Sequence, residues 1–335
     1  MSEPRTGSAL VRATFPYAVE DRARTWRLWI VASAVMVTFY ALATLPTPWF
    51  VRIPASVLAG LSMVRCFIFF HDVEHKAIFV GSPLGLATTK IVGFLLMSPP
   101  SIWKESHDIH HQNNSKLLSA SVGSYPIVTV GMWKVMKPSQ RWKYRAVRHP
   151  LNMIFGYFTV FLLGMAIGPF LRNPRQHWQG PVAIVIQMTW MAVVGWWFGP
   201  AAAFLGVFFP CALATAVGSY LFYAQHNFPS MDVRDRKEWD YNHAALRSSS
   251  LFHMSEVMHW LTGEIGFHHV HHLNHKVPFY RLREAMAGIE ELSDPGTTSW
   301  SWRDVRACLN LAAWDPAAKR MLSWDELEAR MAAGG

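Results

Sequence analysis

The chain has 335 residues, 51% apolar and only 16% charged, where a soluble domain usually carries about 25% charged residues. That deficit, with 14% aromatic residues and 16 Trp, excludes an ordinary water-soluble globule and points to lipid contact. The formal charge of +9 comes without a nucleic-acid motif and suits anionic headgroups, while Cys66, Cys211 and Cys308 are too scattered for a disulfide framework or a paired-cysteine zinc site.

Residues 1–27 mix acids (Glu3, Glu20, Asp21) with bases and lack a short apolar core. They read as a cytoplasmic leader rather than a signal peptide. Five stretches approach the roughly 20 apolar residues that a membrane helix needs: 28–45, 49–70, 151–171, 182–198 and 201–223. A weaker stretch, 84–97, contains Lys90 and is expected to lie along the interface. Lys and Arg favour the cytoplasmic side. They crowd the leader and the segment holding Lys134, Lys137, Arg141, Lys143, Arg145 and Arg148, and Arg172 and Arg175 follow the third stretch. An even number of crossings must then separate Arg148 from Arg172, so 151–171 is expected to be re-entrant or interfacial. The expected fold is an all-α integral membrane protein with four spanning helices in two hairpins. Residues 28–282 form its membrane domain, and residues 283–335 a helical cytoplasmic cap.

The sixteen histidines cluster. His71 and His75 follow the first expected hairpin; His107, His110 and His111 form an HxxHH run, as do His268, His271 and His272; His226 stands alone at the end of the last spanning helix. On a helix, residues i, i+3 and i+4 share a face, so each run aims three imidazoles one way. At this histidine content one HxxHH is expected by chance only about 0.04 times, and two on one expected side of the membrane mark a metal site. Imidazole suits iron, zinc or copper. A ligating histidine also needs its other nitrogen held, and Asp72, Glu74, Glu105, Asp108 and Glu264 lie near enough in sequence to hold some of them. His275 is a further candidate to support a ligand from behind. His149 and His177 sit beside basic loop residues and read as surface groups, His243, His253 and His259 lack partner spacing, and His269 falls on a different helical face from its neighbours.

These residues resemble the membrane fatty acid desaturase family, in particular bacterial acyl-lipid desaturases of the Δ12 (omega-6) type. Three boxes carry the resemblance: His71 with His75; His107, His110 and His111 preceded by Trp103-Lys104; and the phrase running from Thr262 through Leu273, continued by Val277-Pro278-Phe279-Tyr280-Arg281-Leu282. Gln225-His226 resembles the extra ligand of that family. Box one departs from the pattern in having Glu74 before its second histidine and Lys76 after it. The resemblance implies two iron ions held by His71, His75, His107, His110, His111, His226, His268, His271 and His272. It implies O2 as co-substrate, an outside electron donor of the ferredoxin or b-type cytochrome kind, a lipid-linked or thioester-linked fatty acyl substrate, and no nucleic-acid partner. The expected location is a bacterial inner membrane with the site on its cytoplasmic face. Hydroxylation or ketolation of a lipid or carotenoid by the same centre stays open. Non-enzymatic metal handling would need polar ligands at mid-membrane, and these clusters instead follow helix ends.

Overall fold

The computed structural model describes residues 4–117, 125–235 and 237–333. The described chain is mostly helical, and four of its helices are long and apolar enough to cross a membrane. In chain order, the elements that build the site are α1 (Arg22–Thr44), α2 (Trp49–Glu74), α3 (Pro83–Leu95), α4 (Pro100–Gln112), α5 (Gln179–Phe198), α6 (Pro200–Ala224) and α7 (His268–Leu273). The four long ones are α1, α2, α5 and α6.

Helix α1 starts where the Asp21 side chain accepts from the Arg24 amide, satisfying one of the open N–H groups of the first turn. It stops before Pro46-Thr47-Pro48, because proline cannot continue the hydrogen-bond ladder. Arg52 then reaches back to the Ala43 carbonyl at 3.0 Å and closes the turn. Ile30, Val31 and Val37 on α1, and Val185, Trp190, Val193, Trp196 and Trp197 on α5, stand exposed. Apolar residues on the outer face of long helices fit lipid rather than water. Helix α2 is the centre: it packs against α1, α3 and α6. Ser56 donates to the Leu205 carbonyl at 2.5 Å. A Cβ added at Gly60 would stand 2.9 Å from the Pro210 carbonyl oxygen and 3.1 Å from the Leu213 side chain, so the two helices approach closely there.

Arg65 is a buried charge in the middle of α2. It is 3% exposed, donates to the Trp260 carbonyl, and lies over the Trp260 ring at 4.1 Å, with Phe69 and Phe279 within 6 Å. A guanidinium can be held by aromatic faces in this way, and here it ties α2 to the segment before α7.

Helix α3 is capped by Ser82 and α4 opens on Pro100; at 13 residues each spans only about 20 Å. The stretch expected at 151–171 is split among Pro150–Ile154, a π-wound segment Tyr157–Ile167 and Gly168–Arg172. The apolar part, Tyr157–Arg172, is shorter than the spanning helices and packs on α5 and α6.

The all-α expectation needs correcting. Leu251–His253 (β1) pairs in parallel with Thr297–Ser299 (β2), and Leu311–Asp315 (β3) pairs antiparallel with Arg320–Ser323 (β4). The region after Leu282 is therefore a mixed cap rather than a helical one. Asp315-Pro316 provides the turn: the Asp315 carboxylate accepts from the Ala317 amide at 3.0 Å and is paired with Arg330. Buried Leu311, Trp314 and Met321 then join the main core, while Ala312, Ala313 and Leu322 pack with Val128, Trp133, Tyr144 and Leu327.

The tight α2–α6 contact is testable. Gly60→Ala is expected to destabilise the protein by about 1–3 kcal/mol, since a backbone oxygen must move. Gly218→Ala, with nothing within 4 Å of its added Cβ, is expected to be neutral or stabilising by roughly 0.5–1 kcal/mol. Thermal unfolding in detergent, followed by circular dichroism, separates the two.

Candidate metal centre

Four elements deliver histidines to one place. The last turn of α2 carries His71, with His75 at its C-cap; α4 carries His107, His110 and His111; the residue pair after α6 ends in His226; and α7 carries His268, His271 and His272. All nine are buried, none more than 7% exposed. They form two groups, His71, His75, His107, His111 and His271 in one and His110, His226, His268 and His272 in the other. Within each group the nitrogens lie within 4.8 Å of one another.

Helix geometry explains the sorting. The i, i+4 pairs stay together: His71 with His75, His107 with His111, His268 with His272. The i+3 member of each HxxHH run, His110 or His271, crosses to the other group. The i+3 and i+4 positions flank residue i on opposite sides of its row, so each run straddles two centres.

The nitrogens face each other closely. In the four-histidine group the Nε2 atoms form a closed circuit: His110 to His226 at 3.1 Å, His226 to His268 at 2.9 Å, His268 to His272 at 3.1 Å and His272 to His110 at 3.2 Å. In the other group His71 to His107, His107 to His111 and His111 to His271 are each 3.1 Å. Two ligands at right angles around one ion, each bound at about 2.1 Å, stand roughly 3 Å apart. The outward nitrogens make the case stronger. His71 Nδ1 lies 2.9 Å from Asp72 Oδ1, and His226 Nδ1 lies 3.0 Å from the Ser248 carbonyl. Both oxygens only accept, so each Nδ1 carries its proton and each Nε2 presents a lone pair inward. Each group thus holds at least one lone pair fixed inward among close neighbouring nitrogens, ready for a cation. The donor set fits a metal in each group.

Burial keeps these rings neutral. His75, His107, His110, His111, His268, His271 and His272 are held well below the ordinary histidine value, first by loss of water and then by neighbouring imidazoles. His226 is pushed down to about 4 by burial, with the Ser248 carbonyl working the other way. A neutral imidazole is the form that binds a metal.

The remaining candidates divide. Asp72 accepts from His71 through one oxygen and from the Phe279 amide through the other, at 2.7 Å. His275 brings its ring centroid to 4.7 Å from His75 and 5.2 Å from His111, and burial pushes it down to about 4. Asp108 takes Lys104 at 2.7 Å, and Glu264 takes Arg283 at 3.3 Å with His259 at 3.5 Å, so both carboxylates face away from the nine. Glu105 accepts from Gln176, and Glu74 Oε1 is buried without a partner among the described residues. His269 turns to the Leu292 carbonyl at 3.2 Å, and His243 to Asp232 at 3.0 Å. Sequence reading did not identify the Ser248 carbonyl as the support of His226, nor Tyr241, whose hydroxyl donates to the His272 carbonyl at 2.6 Å. The first is a backbone atom with no residue signature, and the second lies outside every cluster. Trp103, noticed only as a neighbour of its box, stacks on His107 at 4.2 Å.

The fatty acid desaturase family model matches residues 47–304, from the start of α2 through α7 into the cap. The chain is similar to a fatty acid desaturase of Bacillus subtilis (strain 168), 30% identical over 292 residues, covering 85% of this chain and 81% of that protein. It is also similar to sn-1 oleoyl-lipid 12-desaturases of Picosynechococcus sp. and Anabaena variabilis. Each is 22% identical, over 80% and 84% of this chain and 77% and 82% of theirs. On the family match, the four apolar helices and the paired histidine groups together, the chain belongs to the fatty acid desaturase family and is a membrane oxidoreductase of fatty acid metabolism.

Proposed function

We propose that the chain is an O2-dependent di-iron fatty acyl desaturase. One iron is assigned to His71, His75, His107, His111 and His271, and the other to His110, His226, His268 and His272. The observation that carries this reading is the pair of buried, carboxylate-free imidazole groups, each with one lone pair fixed inward, that of His71 or His226. Iron bound there supplies the oxidising power to take one hydrogen from each of two adjacent methylenes, O2 being reduced to water with electrons from an outside donor.

The protein's own work is positional. Adjacent methylenes hardly differ in reactivity, so the double bond falls where the acyl chain is held. Phe222 and His226 border a cavity of about 30 Å³ at the four-histidine group, and the Phe222 ring stands 4.7 Å from the His110 ring. Asp72 and the Ser248 carbonyl fix the tautomers of His71 and His226 and so keep their lone pairs aimed inward. The oleoyl-lipid substrate named for the cyanobacterial relatives makes a lipid-linked acyl chain the first to try. In the topology that accompanies this reading, α1–α2 and α5–α6 are two membrane hairpins in a bacterial inner membrane. All nine histidines then meet at the cytoplasmic face, between a leader at 1–27 and a cap at 283–335. A ferredoxin or b-type cytochrome delivers the electrons.

Expression beside a His271→Ala variant, in a host with a matched reductase and ferredoxin, tests the activity by gas chromatography–mass spectrometry of the fatty acids. The expected outcome is a new unsaturated acid from the parent and none above background from the variant. A hydroxylated product would move the reaction to oxygen insertion, and an unchanged profile from iron-loaded, membrane-inserted protein would remove acyl desaturation. Metal analysis of the purified parent is expected to give about two iron per chain, and roughly half that for His226→Ala if the groups fill independently.

Asp72 yields a sharper prediction. In Asp72→Asn, an amide that keeps the Phe279 bond turns its NH2 toward His71 Nδ1. That moves the imidazole proton to Nε2 and removes one inward lone pair. Metal affinity is expected to fall about 10–100-fold with the fold retained, read by competition with a chelator of known affinity. An unchanged affinity would show that Asp72 only tethers Phe279.

A further inference from the structure

A groove of about 440 Å³ lies on the cap, between the helix Trp302–Leu309 and the β3–β4 pair. Arg303, Arg306 and Arg320 line it. Glu326, also on the groove wall, binds Arg320 through both oxygens at 2.6 and 3.0 Å, so that charge is answered. Arg303 and Arg306 are not. They stand three residues apart on one helix, both exposed, and neither has an ion pair among the described residues. Trp302 beside them is 77% exposed, a large aromatic surface of the kind that anchors protein contacts.

The back of this groove is hydrogen-bonded to the chain on either side of His226. Leu311 lines the groove, and its carbonyl accepts from Arg148 at 3.2 Å. The same Arg148 nitrogen donates to Asn227 at 2.8 Å, and Asn227 follows His226 in the chain. Tyr223, three residues before His226, donates to the carbonyl of Cys308 at 3.1 Å, on the very helix that carries Arg303 and Arg306. Arg148 itself is 2% exposed. Two short hydrogen-bonded routes thus join a positive surface groove to the turn that presents His226.

The reaction states what such a surface is for. Converting –CH2–CH2– + O2 + 2 e⁻ + 2 H⁺ into –CH=CH– + 2 H2O balances only if two electrons arrive from outside, and a one-electron carrier must dock twice per turnover. We propose that the Arg303–Arg306 groove is the docking site of an acidic one-electron carrier protein of the ferredoxin type, with Trp302 at the contact. The inference rests on the desaturase reading. Charge complementarity selects the partner, and the bonded connection to His226 selects this face.

Binding of a plant-type [2Fe–2S] ferredoxin to the purified full chain in phosphatidylcholine nanodiscs is the direct test. The parent is expected to bind with an affinity that falls steeply between about 50 and about 300 mM NaCl. Arg303→Glu with Arg306→Glu is expected to weaken binding at least about tenfold and to slow ferredoxin-driven reduction in stopped flow, with circular dichroism and iron content as in the parent. Arg172→Glu with Arg175→Glu, which also reverses two basic residues, is expected to bind as the parent does. Equal binding by the groove variant and the parent would overturn the proposal. So would a variant that binds ferredoxin normally but loses contact with phosphatidylglycerol nanodiscs, which would make the groove a lipid site. With dithionite replacing the carrier, a parent that makes no product would sink the desaturase reading while the binding result stands by itself.

Discussion

Nine buried imidazoles, eight of them with a neighbouring ring nitrogen at about 3 Å, are the constraint on which the rest of this structure depends. Neutral rings gathered this closely, with the lone pairs of His71 and His226 fixed inward, suit a cation held among them. Their arrangement must therefore be held from behind. Asp72 stands behind His71, the Ser248 carbonyl behind His226, and Tyr241 behind the backbone of His272. Gln225, beside His226, donates to the Ile265 carbonyl at 2.8 Å, fixing the end of α6 to the approach to α7. Each is a polar group whose own burial would be costly without its partner.

That requirement explains why the site lies at helix ends. Polar ligands in the middle of a spanning helix would face lipid or demand a polar interior. At the ends of α2 and α6 they meet α4 and α7, and the remaining surface is closed by the chain's own termini. The Thr25 and Tyr280 hydroxyls lie 3.1 Å apart, Asn274 bonds Thr14 at 2.7 Å, and Arg5 grips Glu291 at 2.7 Å. On the other flank, Tyr144 and Arg148 bond the carbonyls of Ala312 and Leu311. Protein replaces much of the lost water around the histidines, apart from the cavity bordered by His110, Phe222 and His226.

The spacings made much of this legible. HxxxH and HxxHH place rings on shared helical faces, and four of the five apolar stretches form the long helices, 49–70 among them despite Arg52 and Arg65, while the uncharged 151–171 was set apart only by the basic residues that flank it. What spacing left open was the partition: nothing in a single HxxHH run says that its i+3 ring serves a different group from its i and i+4 rings, because that depends on where the second helix lies. Carboxylates near the boxes in sequence proved a weaker guide. Asp108 and Glu264 have nearby cations to take, whereas Asp72 is pinned by the Phe279 amide far along the chain. The cap strands escaped notice because they are three to five residues long. Leu-Ala-Ala-Trp carries no strand pattern of its own; pairing with β4 and the Thr129–Trp314 bridge make it one.

The crossing of the i+3 rings has a further consequence for how the reaction is tuned. His110 and His111 are adjacent in sequence yet belong to different groups, as do His271 and His272. Their ring centroids are 5.6 and 5.8 Å apart. The separation of the two groups is thus set twice over by a single residue step of backbone together with the packing that holds these rings in place. A centre so fixed offers little room to adjust one bond along an acyl chain against the next. Selection among methylenes must then come from the walls that surround it, of which Phe222 and Trp103 are the aromatic members closest to the rings. The histidine geometry can stay constant while the depth of the walls varies, and so one metal arrangement can serve many double-bond positions.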